Sequence, residues 1–314
     1  ARSGGEWGQQ PPGDGRGNRR RNCPRDSRGI TLVSAMPNFR TKLTDVSRAH
    51  NSFVCVGLDP DMSRMAIPDT AAFNQAIIDA THDVVCAYKP QLAFYEAQGL
   101  PGLQALAETI NYIRRVAPDV VILGDCKRGD IGSTAQAYAV AMFDIWGFDA
   151  VTVNPYQGLD SVEPFLDYTD RGTFVICRTS NPSARDFQDL MVEVEGEHMP
   201  LYQAVALRCE DWNLHDNVGL VVGATYPEEL QQLRGQHPRM PLLIPGVGAQ
   251  GGDVQLATRY GLDVDGGGML INSSRDVLYA SKNPANFADA ARAAAIKLRD
   301  QINAAATSQP TVAS

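Results

Sequence analysis

The segment Val121–Thr134 reads VILGDCKRGDIGST and joins an apolar run to a dense group of charges. The run is apolar without alternation, which is typical of a parallel β-strand buried on both faces. Two acidic and two basic residues follow between Asp125 and Asp130. Such charges need partners or a function, because removing each one from water costs several kcal/mol unless it is compensated.

Similar apolar runs recur along the chain, each followed by a polar or glycine-rich break and a stretch with helical spacing of apolar residues. The eight runs begin at Phe53, Val84, Val120, Ala150, Thr173, Val218, Pro241 and Gly267. Strands that alternate with helices eight times predict an α/β fold, a single-domain (β/α)8 TIM barrel. A doubly wound open sheet is the alternative, but no GxGxxG motif follows the first strand. The linker at 186–213 is the longest and is expected to contain extra helix.

Composition divides the 314 residues into three parts. Residues 1–35 are rich in Gly, Pro and Arg, with seven arginines against three acidic residues, and lack the apolar content of a packed core. We expect a disordered basic extension there, or a start assigned too early with Met36 as the natural beginning; a basic tethering arm is the alternative. Residues 36–304 form the predicted barrel, and 305–314 a flexible C-terminal tail.

The overall charge and the cysteines narrow the class of protein. A net charge of −8 argues against nucleic acid or an anionic membrane as the main partner, and no apolar run is long enough to span a bilayer. The six cysteines form no CxxC pair and mostly lie in apolar runs, which indicates free thiols in a reducing cytoplasm. No histidine or cysteine pattern predicts a metal site.

Polar residues stand at the ends of the predicted strands, where TIM barrels carry their catalytic groups. Asp125 and Lys127 are two residues apart on the third strand, so both side chains are expected to point into the barrel. A lone pair of this kind would be an ordinary ion pair, but Lys89 ends the neighbouring strand and adds a second lysine. We therefore predict a catalytic array that holds one ammonium group fixed and charged. Asp130 lies beyond the strand and is able to point elsewhere.

A second pattern predicts a phosphate site. PGVGAQGG, residues 245–252, follows the seventh strand with four glycines in eight residues, so that backbone N–H groups can approach an anion closely. Arg275 follows the eighth strand, and TIM barrels often bind phosphate between these two loops. DGGG, residues 265–268, precedes the eighth strand and is assigned to the opposite, stabilising face.

These motifs resemble those of a known family. DCKRGDIGST resembles the D-x-K-x-x-D-I-x-x-T signature of orotidine 5′-monophosphate decarboxylases, and GLDP, YKPQLAFYEAQG, TSNP and PGVGAQGG are also similar to segments of that family. The similarity extends from about Met36 to Ile302 and is greatest to the longer bacterial branch. It implies conversion of orotidine 5′-monophosphate (OMP) to uridine 5′-monophosphate (UMP) and CO2 in de novo pyrimidine biosynthesis, without metal or organic cofactor.

The resemblance also implies roles for the charged array. Lys127 would stabilise the carbanion left at C6 of the pyrimidine and then protonate it. Asp125 would lie against the substrate carboxylate. Asp59 would hold the ribose hydroxyls, and Lys89 would reach the ribose while joining the array.

Further roles follow from the same resemblance. Asp130 and Thr134 match residues that cross the interface of a homodimer and complete the partner's site. The remaining implied substrate contacts are Ser180 at the pyrimidine and Pro245, Gln250 and Arg275 at the phosphate end. The match at Arg275 is looser, because NSSR differs from the GR pattern of shorter relatives.

Three other functions fit parts of this pattern. A related barrel that uses magnesium to decarboxylate or epimerise a sugar phosphate has a similar D-x-K-x-x-D pattern. A Schiff-base aldolase would use Lys89 or Lys127, but it requires a neutral lysine, whereas flanking aspartates favour the charged form. A nucleotide-phosphate sensor would bind UMP without turnover.

Overall fold

Eight parallel strands close into a barrel, in a computed structural model that describes residues 38–248 and 251–308. The strands of these residues are β1 (Val54–Leu58), β2 (Ala87–Pro90), β3 (Val121–Arg128), β4 (Ala150–Val153), β5 (Gly172–Arg178), β6 (Met191–Val194), β7 (Glu197–Pro200), β8 (Val218–Val222), β9 (Leu242–Pro245) and β10 (Met269–Ser273). The barrel order is β1, β10, β9, β8, β5, β4, β3, β2, and β2 pairs with β1 to close it. All eight predicted strands are present, so the TIM-barrel prediction is confirmed and the open sheet is wrong.

Helices cover the outside of the barrel. They are α1 (Phe39–Ala49), α2 (Thr70–Thr81), α3 (Leu92–Glu96), α4 (Gly99–Val116), α5 (Gly132–Val140), α6 (Glu163–Leu166), α7 (Leu201–Trp212), α8 (Pro227–Gln236), α9 (Val254–Gly261), α10 (Arg275–Leu278) and α11 (Phe287–Thr307). Asn38, Asp69 and Asp253 cap α1, α2 and α9 by accepting hydrogen bonds from backbone amides of the first turn. A π-helical turn, Ala141–Ile145, follows α5, and α11 packs on α2 and α9.

The barrel core consists of apolar strand residues, with glycines where aromatic rings need room. A Cβ atom at Gly124 would lie 2.7 Å from the Phe148 ring, and one at Gly219 would lie 2.6 Å from Phe174. Both rings are fully buried. These strands therefore carry glycine because a larger side chain would displace an aromatic ring from the core.

The long linker after β5 contains a feature that the sequence did not predict. Its predicted helix is α7, but β6 and β7 precede it as an antiparallel hairpin whose turn residues, Glu195 and Gly196, have φ of 57° and 89°. Arg178, at the end of β5 and almost fully buried, fastens this insertion through an ion pair of 3.0 Å with Asp189. Glu-Gly is a weaker turn signal than Asn-Gly, so the hairpin is inconspicuous in sequence.

The expected terminal segments lie mostly outside the described residues. The basic extension at 1–35 and the proposed start at Met36 lie there entirely. The last helix continues to Thr307, and Ala305 is buried against the body, so residues 305–307 belong to α11 and not to a tail. Residues 309–314 are not described.

The cysteines of the described residues lie inside the fold. Cys55, Cys86, Cys126, Cys177 and Cys209 are all buried and free, as predicted for structural thiols. In the part of the chain that the structure describes, no helix combines the length and apolarity needed to cross a membrane.

Candidate active site

One carboxylate at the C-terminal mouth of the barrel pairs with two lysines. Lys89 Nζ, at the end of β2, lies 2.9 Å from Asp125 Oδ2 on β3. Lys127 Nζ pairs with the other carboxylate oxygen, Oδ1. Lys89 is 4% exposed and Asp125 7%, whereas the Lys127 side chain is 45% exposed. The predicted array therefore exists for these three residues, and Lys127 is the member open to a ligand.

The neighbouring charges keep both Asp125 and Lys89 ionised. Burial would raise the pKa of Asp125, but the positive charges of Lys89 and Lys127 outweigh it and hold that pKa well below its usual range. Burial would lower the pKa of Lys89, but the negative charges of Asp125 and Asp59 outweigh it and raise that pKa above its ordinary value. Asp125 and Lys89 are therefore both ionised at neutral pH.

Two neutral side chains complete the hydrogen bonding of Asp125. Gln91 Nε2 donates to Oδ2 at 2.8 Å, and Thr152 Oγ1 on β4 donates to Oδ1 at 2.9 Å. With the two lysines, four donors surround one carboxylate. An ionised carboxylate has about four acceptor positions, so the group is fully satisfied and fixed in orientation.

The end of β3 is irregular. Its pairing with β4 shifts register between Gly124 and Arg128, and Lys127 has a φ of 46°, in the left-handed region that non-glycine residues rarely adopt. Thr152 Oγ1 accepts hydrogen bonds from the amides of Cys126 at 3.1 Å and Lys127 at 3.0 Å. Simple alternation along a regular strand is thus not what brings Lys127 to Asp125, because the backbone turns at this point.

Asp59, after β1, borders a cavity next to the array. Its Oδ1 lies 3.8 Å from Lys89 Nζ and, within the described residues, is buried without a hydrogen-bond partner. Tyr279 Oη donates to the Asp59 carbonyl at 2.6 Å and accepts from the Asp61 amide at 2.8 Å, which fixes this loop. Asp59 therefore presents an acceptor that a bound hydroxyl group would satisfy.

The cavity has a volume of about 180 Å³ and contains basic groups. Arg275, at the start of α10, lines it together with Arg64, whose guanidinium lies 4.7 Å from the centre of the Tyr279 ring. The backbone of Gly246 and Val247 forms another wall. Two guanidinium groups beside a glycine-containing loop make this cavity suitable for an anion.

The loop after β9 depends on glycine. Pro245 ends the strand, and Gly246, Gly248 and Gly251 have φ of 96°, 65° and 87°. The Gly252 amide donates to the Gly246 carbonyl at 3.0 Å and closes the loop. Side chains with a Cβ atom disfavour these conformations, which accounts for the composition of the motif. Gln250 lies outside the described residues.

Ser180 follows β5 at the same end of the barrel and is half-buried. Thr225 Oγ1 donates to its carbonyl at 3.4 Å. A Cβ atom at Gly223 would lie 2.8 Å from that of Ser180, so glycine allows the loops after β5 and β8 to approach each other closely.

Asp130 and Thr134 stand apart from the array. The Asp130 carboxylate accepts a hydrogen bond from the Ile131 amide at 2.8 Å, and no ion pair joins it to Lys89 or Lys127 within residues 38–248 and 251–308. Thr134 is exposed on α5. The single chain thus brings together Lys89, Asp125 and Lys127 but does not bring Asp130 to them.

Three residues of this region were not among the predicted site residues: Gln91, Thr152 and Arg64. Gln91 stands in the quoted YKPQ motif, and Thr152 is a polar residue within the apolar run AVTVN. A polar residue in a strand buried on both faces needs a hydrogen-bond partner, and this was the available signal for Thr152. Nothing in the sequence near Arg64 distinguished it from an ordinary surface residue.

A larger cavity, of about 630 Å³, lies at the opposite end of the barrel. It is lined in part by Arg40, Phe53 and the loop of Gly266, Gly267 and Gly268. Asp263 Oδ1 accepts the amides of Asp265 and Gly267, so that glycine loop is internally bonded, in agreement with its assignment to the stabilising face. Among the described residues, no group of His, Cys, Asp and Glu side chains is arranged to hold a metal ion.

Known proteins with similar sequences carry out a reaction that fits the geometry of this site. The sequence profile described as "Orotidine 5′-phosphate decarboxylase / HUMPS family" matches residues 52–291. The chain belongs to this family. The match to the orotidine 5′-phosphate decarboxylase / HUMPS family includes every predicted site residue from Asp59 to Arg275.

Individual relatives cover most of the chain. Orotidine 5′-phosphate decarboxylase of Cellvibrio japonicus is 52% identical over 277 residues, which are 85% of this chain and 99% of that protein. Among solved structures, Leishmania donovani OMP decarboxylase has a TM-score of 0.75 and 38% identity over 87% of this chain and 100% of that one. Leishmania donovani UMP synthase has a TM-score of 0.78 and 40% identity. The match covers 88% of this chain and 58% of that longer protein.

Proposed function

We propose that this protein is a carboxy-lyase that converts OMP to UMP and CO2 in de novo pyrimidine biosynthesis. The observation that carries the proposal is the Lys89–Asp125–Lys127 array beside a basic cavity, in a chain of the decarboxylase family. The array offers a fixed positive charge at neutral pH, and the cavity offers a site for a phosphate group.

Substrate binding uses the strand ends around the array. The phosphate occupies the cavity between Arg275 and the loop that begins at Pro245, and the family resemblance assigns Gln250 to the phosphate as well. Asp59 Oδ1, buried without a partner in the described residues, accepts a ribose hydroxyl. Lys89, 3.8 Å from that oxygen, lies beside the ribose. Ser180 hydrogen-bonds the pyrimidine and orients it in the mouth of the barrel.

The reaction takes place at Lys127. When the bond between C6 and the carboxylate carbon breaks, its electron pair stays on C6 and CO2 leaves. The Lys127 ammonium stabilises this localised negative charge and then transfers a proton to C6. Since the Lys127 side chain is 45% exposed, the neutral amine regains its proton from solvent once the product leaves.

Asp125 prepares this step. It pairs with Lys127 and aims its side chain, because four donors fix the Asp125 carboxylate. Its depressed pKa means that it meets the substrate carboxylate as a full negative charge, so the repulsion between the two is relieved when CO2 departs. Binding energy from the distant phosphate holds the substrate against that repulsion.

The complete site requires a second copy of the chain. Asp130 and Thr134 lie outside the array of their own chain and contribute to the partner's site in a homodimer. Ile131, next to Asp130 in the chain, is 52% exposed, and two large apolar side chains of the following segments, Ile145 and Tyr156, are 74% and 82% exposed. A second copy that covers this surface would bury them and bring the two residues to the neighbouring array. The protein acts in the cytoplasm, in keeping with five buried free thiols.

The test follows the loss of OMP absorbance with purified protein, with and without a chelator. Wild type is expected to turn over OMP equally in both conditions. Lys127→Ala is expected to lose activity by more than about a thousandfold, because both charge stabilisation and proton transfer are removed. UMP binding, measured by calorimetry, should persist in this variant, since the phosphate and ribose contacts remain.

The control and the alternatives use the same protein. Lys282→Ala removes an exposed lysine in the loop before α11 that does not line the cavity of Arg275, and it should not change turnover. Full activity of Lys127→Ala would remove this residue from the mechanism. Loss of wild-type activity with chelator would favour the magnesium-dependent barrel, borohydride trapping with a ketose phosphate would favour the aldolase, and UMP binding without turnover would favour the sensor.

A further inference from the structure

Thr152 connects the backbone and the carboxylate of the array through one hydroxyl group. It lies on β4, is 1% exposed, and its Oγ1 is bonded to Asp125 and to the amides of Cys126 and Lys127. We propose that Thr152 is a positioning residue for the decarboxylation, one that aims the Lys127 ammonium without touching substrate. This inference rests on the proposed function and adds a residue to it.

The hydrogen-bond inventory of a hydroxyl group explains why the arrangement is specific. A threonine hydroxyl has one proton to donate and two lone pairs to accept. The proton goes to Asp125 Oδ1 at 2.9 Å, and the lone pairs accept Cys126 N at 3.1 Å and Lys127 N at 3.0 Å. All three positions are used by the segment that bears the array, so the hydroxyl cannot rotate without losing a bond.

The backbone at Lys127 needs this support. Its φ of 46° is unfavourable for a residue with a Cβ atom, and the β3–β4 pairing shifts register at the same place. A strained conformation persists only where its surroundings hold it. The hydrogen bonds from the Cys126 and Lys127 amides to Thr152 replace the regular strand pairing that the register shift removes. They fix the direction in which the Lys127 side chain leaves the backbone.

Threonine suits this role because its χ1 torsion is restricted. A β-branched residue in a strand has few rotamers, and complete burial of Thr152 removes any alternative partner in solvent. Valine has nearly the same shape and lacks only the hydroxyl. Thr152→Val therefore removes the three hydrogen bonds while it preserves the packing, and Thr152→Ser restores the hydroxyl without the methyl group.

The expected effect is on kcat and not on nucleotide binding. Thr152→Val should lower kcat about ten- to a hundredfold, because a buried charged group and two amides lose a partner. The dissociation constant of UMP should stay within about threefold of wild type, since the cavity with Arg275 and Asp59 is built by β1, β9 and β10. Thr152→Ser should recover kcat to within about threefold of wild type.

A matched control is available on the adjacent strand. Thr173 on β5 is also fully buried, but its hydroxyl has no hydrogen-bond partner within the described residues. Thr173→Val should leave kcat unchanged. Amide hydrogen exchange adds a readout that does not depend on activity: protection of Cys126 and Lys127 should fall in Thr152→Val and should be retained in Thr173→Val.

The results separate this inference from the proposed function. Failure of wild type to decarboxylate OMP would overturn the proposed function and this role with it. Wild-type turnover together with Thr152→Val activity within twofold of it would overturn the positioning role only, as would a serine variant as impaired as valine, or equal losses of kcat and UMP binding. If Thr152→Val does not bind UMP because it does not fold, Thr152→Ala and Thr152→Ser are compared by the same criteria.

Discussion

The Lys89–Asp125 ion pair allows a quantitative test of how much the stability of the fold depends on pairing the buried charge of Asp125. The two side chains are almost fully buried, and their charged atoms lie 2.9 Å apart. Replacing Lys89 with methionine keeps the length of the side chain and removes its charge. Asp125 then remains buried with Lys127, Gln91 and Thr152 as its donors.

The expected loss of unfolding free energy in Lys89→Met follows from the cost of leaving the buried Asp125 carboxylate without one of its two cations. Removal of one partner of a buried pair destabilises proteins by about 3–5 kcal/mol. Asp125 keeps three donors, so the lower end of this range applies and Lys89→Met should cost about 3 kcal/mol. For a folded body of about 270 residues, with an unfolding entropy of about 2.1 cal/mol/K per residue, the melting temperature should fall by about 5 °C. Asp59, 3.8 Å from Lys89, loses this ion-pair partner as well, which also lowers the stability.

Urea unfolding followed by circular dichroism measures this difference in free energy. The double variant Lys89→Met/Asp125→Asn removes both charges and keeps a side-chain oxygen for Thr152 and Lys127, so it should regain at least half of the loss in unfolding free energy, because no undercompensated carboxylate stays buried. Arg208→Ala is the matched control for an exposed ion pair: its side chain and that of Asp211 are 44% and 53% exposed, so the loss should be under about 1 kcal/mol.

Two outcomes would contradict this reasoning. One is a Lys89→Met protein within about 0.5 kcal/mol of wild type, which would mean that Asp125 is adequately compensated by its other partners. The other is a double variant no more stable than Lys89→Met, because the loss would then come from altered packing and not from the unpaired carboxylate.

Two further predictions concern the assembly and the pH dependence. Mixing inactive Asp130→Ala with inactive Lys127→Ala protein should restore activity, because one hybrid site of each mixed dimer is intact; no recovery, with subunit exchange demonstrated by mass spectrometry, would contradict shared sites. The folded-state pKa of Asp125 is depressed, so its contribution to stability is present above its unfolded pKa of about 3.9 and is lost as the pH falls through the lower folded value. The difference in unfolding free energy between wild type and Asp125→Asn should thus be constant from about pH 5 to 9 and shrink below about pH 4, and urea titrations across this range would contradict the assignment if the difference grew in acid.

The barrel was predictable because its signals are local. Eight apolar runs without alternation identified buried parallel strands, and a closed barrel brings the ends of all parallel strands to one mouth. For the same reason, Lys89 and Asp125 could be expected to meet, since they end adjacent strands. The glycine-rich loop after β9 was recognisable because its backbone conformations require glycine.

The features that sequence reasoning missed depend on contacts between strands. The register shift of β3 and the bonds from Thr152 exist only when β3 and β4 lie side by side, and no local pattern reports a left-handed Lys127. The β6–β7 hairpin was missed because its apolar residues are few and half-exposed, so no core pattern marks it. The expected place of Asp130 across a dimer interface came only from the family resemblance, because no pattern within one chain reports contacts with a second chain.

The four donors around Asp125 also limit which residues evolution can accept at this position. Asparagine would offer a single oxygen and turn an amide group towards an ammonium, and glutamate would carry its carboxylate about one bond length too far for β4 and β2 together. Alanine would leave two lysines, a glutamine and a threonine without their common acceptor. In a library with all twenty amino acids at residue 125, we therefore expect aspartate to be the only survivor under selection for growth without uracil.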